Sequence, residues 1–195
     1  GIEPWIVLSP WKPGAKPNKQ MEEVYLLNYD VGVLKWAEIC QQKGIRFFSP
    51  ANEPDHVFST EAVNQWHERV VPKIRERFKG DLIAKMANPV MVNYKGFDYI
   101  GLTFLGERTT DYIKKQIKTA LVLASRDHVS GGVLASEFAL PAMGKMPQGN
   151  ELANYLDMVF RTSKGSVSGW FVGIPKWEVR GDPAEEIVKK YFINH

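Results

Sequence analysis

The sequence predicts an α/β domain built on a parallel sheet. Short apolar runs alternate with longer amphipathic stretches, the pattern of successive βαβ units. The short runs are apolar at nearly every position, as in strands buried on both faces. The residues show no repeat of fixed period, which sets solenoids and propellers aside.

The elements follow in order. Ile6 to Leu8 reads as a strand, and a loop rich in Pro, Gly and Lys runs from Lys12 to Gln20. Val24, Leu27, Val31, Leu34 and Ile39 recur at helical spacing, and Gly44 supplies a C-terminal stop. Ile45 to Phe48 is the next strand. Ser59 can cap a helix whose apolar face holds Ala62, Trp66, Val70, Ile74 and Phe78, closed by Gly80. Pro72 falls inside that pattern and is expected to kink or break it. Leu82 to Ala84 and Tyr99 to Phe104 are strands, and the stretch from Lys85 to Gly96 between them has little helical pattern. Thr109 or Thr110 can cap a helix through Ile113, Ile117, Leu121 and Ala124. Gly132 to Ala135 is a strand, Leu152, Tyr155, Leu156, Val159 and Phe160 form a helical stripe, and Val167 to Val172 is the last strand. Asp182-Pro183 opens a final helix, with Asp as cap and Pro in the first turn. Six strands result.

The 195 residues, 44% of them hydrophobic, suffice for one well-buried domain over 1–195. The net charge of +3 is spread along the chain without a like-charge run, so neither nucleic acid nor anionic lipid is indicated as a partner. The single cysteine, Cys40, excludes an intrachain disulfide, and no Cys/His cluster has zinc spacing. No apolar stretch reaches the roughly 18 residues of a membrane helix. With Gly1 at the start and no signal peptide visible, secreted and cytoplasmic locations both stay open. No phosphate-binding Gly-rich loop is present, which counts against nucleotide chemistry.

Two glutamates follow strands directly. Ile45-Arg46-Phe47-Phe48-Ser49-Pro50-Ala51-Asn52-Glu53-Pro54 ends one strand, and Gly132-Val133-Leu134-Ala135-Ser136-Glu137-Phe138 ends another. At the C-terminal strand ends of a parallel α/β barrel, both carboxyls would project into one bowl. Such a pair can cleave a glycosidic bond, one giving a proton to the leaving oxygen and the other attacking the anomeric carbon. Position alone leaves open that each glutamate caps a helix or faces solvent.

Asn52-Glu53-Pro54 resembles the strand-4 signature of the large clan of (β/α)₈-barrel retaining glycosidases, which includes cellulases, mannanases, xylanases and β-glycosidases. Ala135-Ser136-Glu137-Phe138 resembles the strand-7 nucleophile segment of the same clan. The resemblance implies a TIM barrel of which this chain carries strands 3 to 8, N-terminally incomplete by two βα units. It implies Glu53 as acid/base, Glu137 as nucleophile, and Asn52 as a hydrogen-bond partner of the sugar 2-hydroxyl. The carboxyls are then expected ~5–5.5 Å apart. No metal or cofactor is required.

The chain departs from the family near strand 6, where Gly101-Leu102-Thr103-Phe104 has no Tyr or His to hold the nucleophile, and Thr103 is a weak substitute. Trp170 or Trp177 stands in for the strand-8 Trp under the sugar. Trp11 at the rim and His56 in the signature loop are further candidate substrate contacts, and Asp55 and Asn88 are rim residues. Glu107 and Arg108 read as a surface ion pair. Lys85 can face the barrel interior, though the pattern does not decide it. His67, His128 and His195 read as incidental.

The leading expectation is a glycoside hydrolase acting on β-linked poly- or oligosaccharide. The alternative is a catalytically impaired carbohydrate-binding barrel fragment. A third reading is an unrelated α/β enzyme, which a separation of the two glutamates beyond ~10 Å would support. A six-stranded sheet leaves two apolar edges, so a second chain or a homo-oligomer is expected to cover them.

Overall fold

A computed structural model of the protein describes residues 4–9, 17–105, 109–139, 149–171, 181 and 183–192. The strands are β1 (Trp5–Val7), β2 (Phe47–Ser49), β3 (Asp81–Met86), β4 (Tyr99–Leu105), β5 (Val133–Ala139) and β6 (Gly169–Trp170). The helices are α1 (Glu22–Gln42), α2 (Thr60–Arg77), α3 (Thr110–Asp127), α4 (Asn150–Ser163) and α5 (Pro183–Phe192). All six strands are parallel and lie in chain order β1 to β6. The expected strand count, direction and order therefore hold, with boundaries moved by a residue or more.

Alternation sorts each strand's side chains between two layers. Leu82, Ala84 and Met86 of β3 and Ile100, Leu102 and Phe104 of β4 join the core under the helices. Ile83, Lys85, Gly101 and Thr103 take the opposite, inner face. The sheet curls until inner aromatics of its two ends meet: Trp5 of β1 and Phe171, just past β6, have ring centroids 4.7 Å apart. Phe47 of β2 packs edge-on against the same Phe171 at 5.3 Å.

The helix caps follow the sequence. Ser59 Oγ accepts from Ala62 N–H and Thr109 Oγ1 from Tyr112 N–H, and Gly44 past α1 has φ +64°. Gly80 is required by close approach, because a Cβ there would lie 2.5 Å from the Arg46 carbonyl oxygen. The irregular stretch between β3 and β4 is confirmed. It is fastened to the helices instead: Asn93 N–H donates to Asn64 Oδ1, Tyr94 N–H to Asp127 Oδ2, and His67 Nδ1–H to the Asn93 carbonyl.

Three expectations about the helices are corrected. First, α2 runs unbroken through Pro72. Both Pro72 and Glu68, whose carbonyl loses its helical donor, are exposed, so water can satisfy that oxygen. Second, α1 buries Leu26, Val33, Ala37 and Cys40 and leaves Val24, Leu27 and Val31 exposed, Val31 by 74%. The helix carries two apolar stripes, and the buried one also holds two acids with specific partners. Glu22 accepts from Ser59 Oγ (2.6 Å) and N–H (3.1 Å), and Asp30 accepts from Trp66 Nε1 (2.8 Å) and Arg69 Nε (3.0 Å). Third, α3 buries Ala120 and Leu123 and exposes Leu121 by a rotation of its stripe.

Candidate active site

The site is built at the C-terminal ends of β2, β3, β4 and β5, where the main chain holds each functional side chain. Glu53 leaves β2 with φ 52° and ψ 54°, the left-handed region that a non-glycine residue enters only when its surroundings hold it there. Its N–H donates to the Lys85 carbonyl at 3.0 Å, and Asn52 forms a parallel bridge with Lys85. The loop after β2 is thus stitched to β3 before a one-turn helix, Pro54–His56, begins. Asp55 fastens it from the other side, accepting Ala87 N–H (3.0 Å) and Asn88 N–H (2.9 Å). Burial pushes the Asp55 carboxyl above its ordinary range, against those two amide donors. Asp55 is therefore a loop clamp, not the rim contact that the sequence suggested. Asn88 Oδ1 accepts from Tyr112 Oη at 3.1 Å.

Glu137 lies within β5, not beyond its end. Val133 and Ala135 belong to the outer core, so strict alternation would turn Glu137 to the helices as well. The β4–β5 register shifts between Leu102 and Thr103: Leu102 pairs with Ala135, and Thr103 with Glu137. Ser136 is the extra residue of a β-bulge, and the bulge brings Glu137 onto the inner face beside Thr103. Ser136 is buried there, its Oγ donating to the Leu102 carbonyl at 2.9 Å.

Lys85 projects from β3 into the space between these groups and is 4% exposed. Its Nζ lies 2.6 Å from Glu137 Oε2, 3.4 Å from Glu53 Oε1 and 3.4 Å from Thr103 Oγ1, and it also donates to Asn52 Oδ1. Glu53 Oε1 and Glu137 Oε2 share one nitrogen at these distances and so lie at most about 6 Å apart, which brings the two carboxyl groups together across the ammonium. A separation beyond ~10 Å, which would support an unrelated enzyme, is not what the structure has.

The structure thus brings together Glu53, Glu137 and Asn52, with His56 at their edge. His56 is half-exposed, and its Nδ1 is 3.7 Å from Glu53 Oε2, an ion-pair distance when the ring is protonated. Trp170 is not part of this group. Its indole faces the helical layer, donating Nε1–H to Ser163 Oγ at 2.8 Å and meeting Phe160 edge-on at 5.6 Å. It pairs with outward-facing Ala135, so alternation along β6 turns it away from the bowl and turns Phe171 inward. Trp11, Trp177, Glu107, Arg108 and His195 lie outside the described residues. Sequence reasoning left Lys85 undecided. The signal was its place two residues after inward Ile83, as the one charge among Leu82, Ile83, Ala84 and Met86.

Among the described residues no group of three or more His, Cys, Asp and Glu is arranged to hold a metal ion. No described helix is long and apolar enough to cross a membrane.

No family model and no curated protein matches the sequence. Solved structures do match the fold. A GH113 β-1,4-mannanase superposes with a TM-score of 0.68 at 14% identity, over 97% of this chain and 68% of its own. The GH113 β-mannanase of Alicyclobacillus acidocaldarius gives 0.69 at 13% identity, over 88% of this chain and 62% of its own. A GH5-4 broad-specificity endoglucanase from an uncultured bacterium gives 0.58 at 13% identity, over 96% and 67%. The chain therefore has the fold of a partial (β/α)₈ barrel, six parallel strands with their helices, of the kind that these glycoside hydrolases share.

Proposed function

We propose that this chain carries the catalytic pair of a retaining glycoside hydrolase acting on β-linked poly- or oligosaccharide. The observation that carries the reading is the pair itself: two glutamates from the ends of β2 and β5, held around one ammonium at a spacing compatible with double displacement. The neighbours' names, mannanase and endoglucanase, support the substrate class.

In this reading a Glu137 oxygen attacks the anomeric carbon and Glu53 gives its proton to the departing glycosidic oxygen. The bond to the leaving sugar breaks, and a glycosyl ester to Glu137 forms. Glu53 then takes a proton from water, whose oxygen displaces Glu137 and restores the original anomeric configuration. In the same reading Asn52 hydrogen-bonds a hydroxyl beside the reacting carbon, and His56 meets the sugar at the rim on the Glu53 side.

A second reading, sugar binding with impaired turnover, is favoured by one observation. The β4 residue beside Glu137 is Thr103, a poorer partner for a nucleophile than the tyrosine or histidine that the resemblance leads one to expect. The edges of β1 and β6, which pair with no other described strand, and the exposed Val24, Leu27 and Val31 of α1 support a second chain or a second copy of this one as the covering partner.

Release of a chromogenic aglycone from β-mannosides, β-glucosides, β-xylosides and their short oligomers tests the reading. Turnover by the wild type, lost in Glu53→Ala and Glu137→Ala and restored by azide with opposite product stereochemistry in the two variants, is expected. Sugar binding with no turnover in the folded wild type selects the second reading.

A further inference from the structure

Resting on that reading of Glu53 and Glu137, we propose that Lys85 is the positioning residue of the site, holding the two carboxylates at double-displacement spacing and orienting the Asn52 amide towards the sugar.

A buried ammonium is costly unless its protons are used, and this one has its acceptors arranged around it. Three N–H donors face four acceptors: Glu137 Oε2, Asn52 Oδ1, Glu53 Oε1 and Thr103 Oγ1. Glu137 and Asn52 take the two short bonds, and Glu53 and Thr103, both at 3.4 Å, compete for the third proton. The four acceptors come from β4, β5 and the loop after β2, so one side chain of β3 ties three neighbouring segments together. Without it, two carboxylates would face each other across the same gap and repel.

Depth decides between positioning and direct substrate contact. The Lys85 side chain is 4% exposed, against 13% for Glu53 and 22% for Glu137. The ammonium therefore lies beneath the carboxylates, on the side away from solvent, and a sugar arriving from the open face meets the carboxylates first. Asn52 is oriented by the same bond. Its Oδ1 accepts from Lys85, so its amide N–H groups are the end left to meet a sugar hydroxyl as donors.

The test compares wild type, Lys85→Met, and Lys85→Met combined with Glu53→Gln and Glu137→Gln. Because Lys85 acts through the carboxylates, Lys85→Met is expected to lower kcat about 100-fold, the cost of misplacing reacting groups, while KM stays within about threefold. Its thermal midpoint is expected to fall and to recover in the triple variant, where neither carboxylate needs a counter-charge. A raised KM with unchanged kcat would make Lys85 a substrate contact and overturn the proposal. A midpoint that does not recover in the triple variant, though the protein folds, overturns it as well. No turnover by the folded wild type overturns the glycosidase reading and the catalytic half of this inference, and the midpoint comparison then decides the bridge alone.

Discussion

Glu53 and Lys85 are joined twice: the Glu53 N–H donates to the Lys85 carbonyl at 3.0 Å, and the Lys85 ammonium returns to within 3.4 Å of the Glu53 carboxylate. The backbone bond fixes where the loop leaves β2, and the side-chain contact fixes where the carboxylate points. The left-handed conformation of Glu53 follows from the first of these, because the chain must turn sharply after pairing with β3.

Backbone strain at Glu53 is measurable. Glycine adopts φ +52° without the steric cost that other residues carry, roughly 1–2 kcal/mol. Glu53→Gly is expected to be more stable than Glu53→Ala by about 1 kcal/mol in urea unfolding. Both are expected to lack turnover. Equal stability of the two variants would show that the loop relaxes out of the left-handed region.

The bulge at Ser136 separates two outcomes. Ser136→Ala removes one hydrogen bond to the Leu102 carbonyl and leaves the extra residue in place. It is expected to cost about 1 kcal/mol and to keep turnover within about tenfold. Insertion of one alanine between Leu102 and Thr103 gives Ser136 a partner on β4, restores strict alternation and drives Glu137 into the helical layer. That variant is expected to lose all turnover and several kcal/mol of stability, as burying an unpaired carboxylate requires.

Acid lability is expected to include His67. Its ring is buried against Phe97 (4.9 Å) and donates to the Asn93 carbonyl, and burial lowers its pKa to about 4 from 6.5. The unfolded chain binds this proton at higher pH than the native chain does, so native stability rises with pH across that interval. About 3 kcal/mol is then lost as pH falls from 6.5 to 4. His67→Phe is expected to flatten the pH dependence of urea unfolding in that window, and an unchanged slope would contradict the assignment.

The α1–α2 interface is expected to depend on Asp30. It accepts from Trp66 Nε1 and Arg69 Nε, with its side chain 10% exposed. Asp30→Ala leaves both donors buried and is expected to destabilise by about 3 kcal/mol, more than Asp30→Asn, which keeps an acceptor for one of them.

The strand order and the candidate pair were legible because they depend on local pattern. Apolar runs marked the strands, and Asn52-Glu53-Pro54 and Ser136-Glu137 stood next to them. What was not legible depends on pairing between strands. A bulge that turns Glu137 inward is a register event between β4 and β5, invisible in either strand alone. Lys85 had the right parity, but only the curl of the sheet shows that its ammonium falls between two carboxylates. Trp170 was a candidate through the family resemblance alone, as a stand-in for the strand-8 Trp, and residue type says nothing of the face it takes. Its pairing with Ala135 puts the indole among Phe160, Tyr191 and Phe192. On α1, two apolar stripes competed, and the choice rested on Glu22 and Asp30, which a hydropathy pattern counts against burial.

A slow glycosyl donor shows whether Glu137 forms a covalent bond to a sugar with Glu53 as its proton partner. The protein would be incubated with activated 2-deoxy-2-fluoro β-mannoside and β-glucoside and digested, and its peptides weighed. One added fluoroglycosyl group is expected on the peptide containing Glu137, absent in Glu137→Gln and slow to hydrolyse in Glu53→Ala. A label on another residue, or none in folded protein that hydrolyses the parent glycosides, would contradict it.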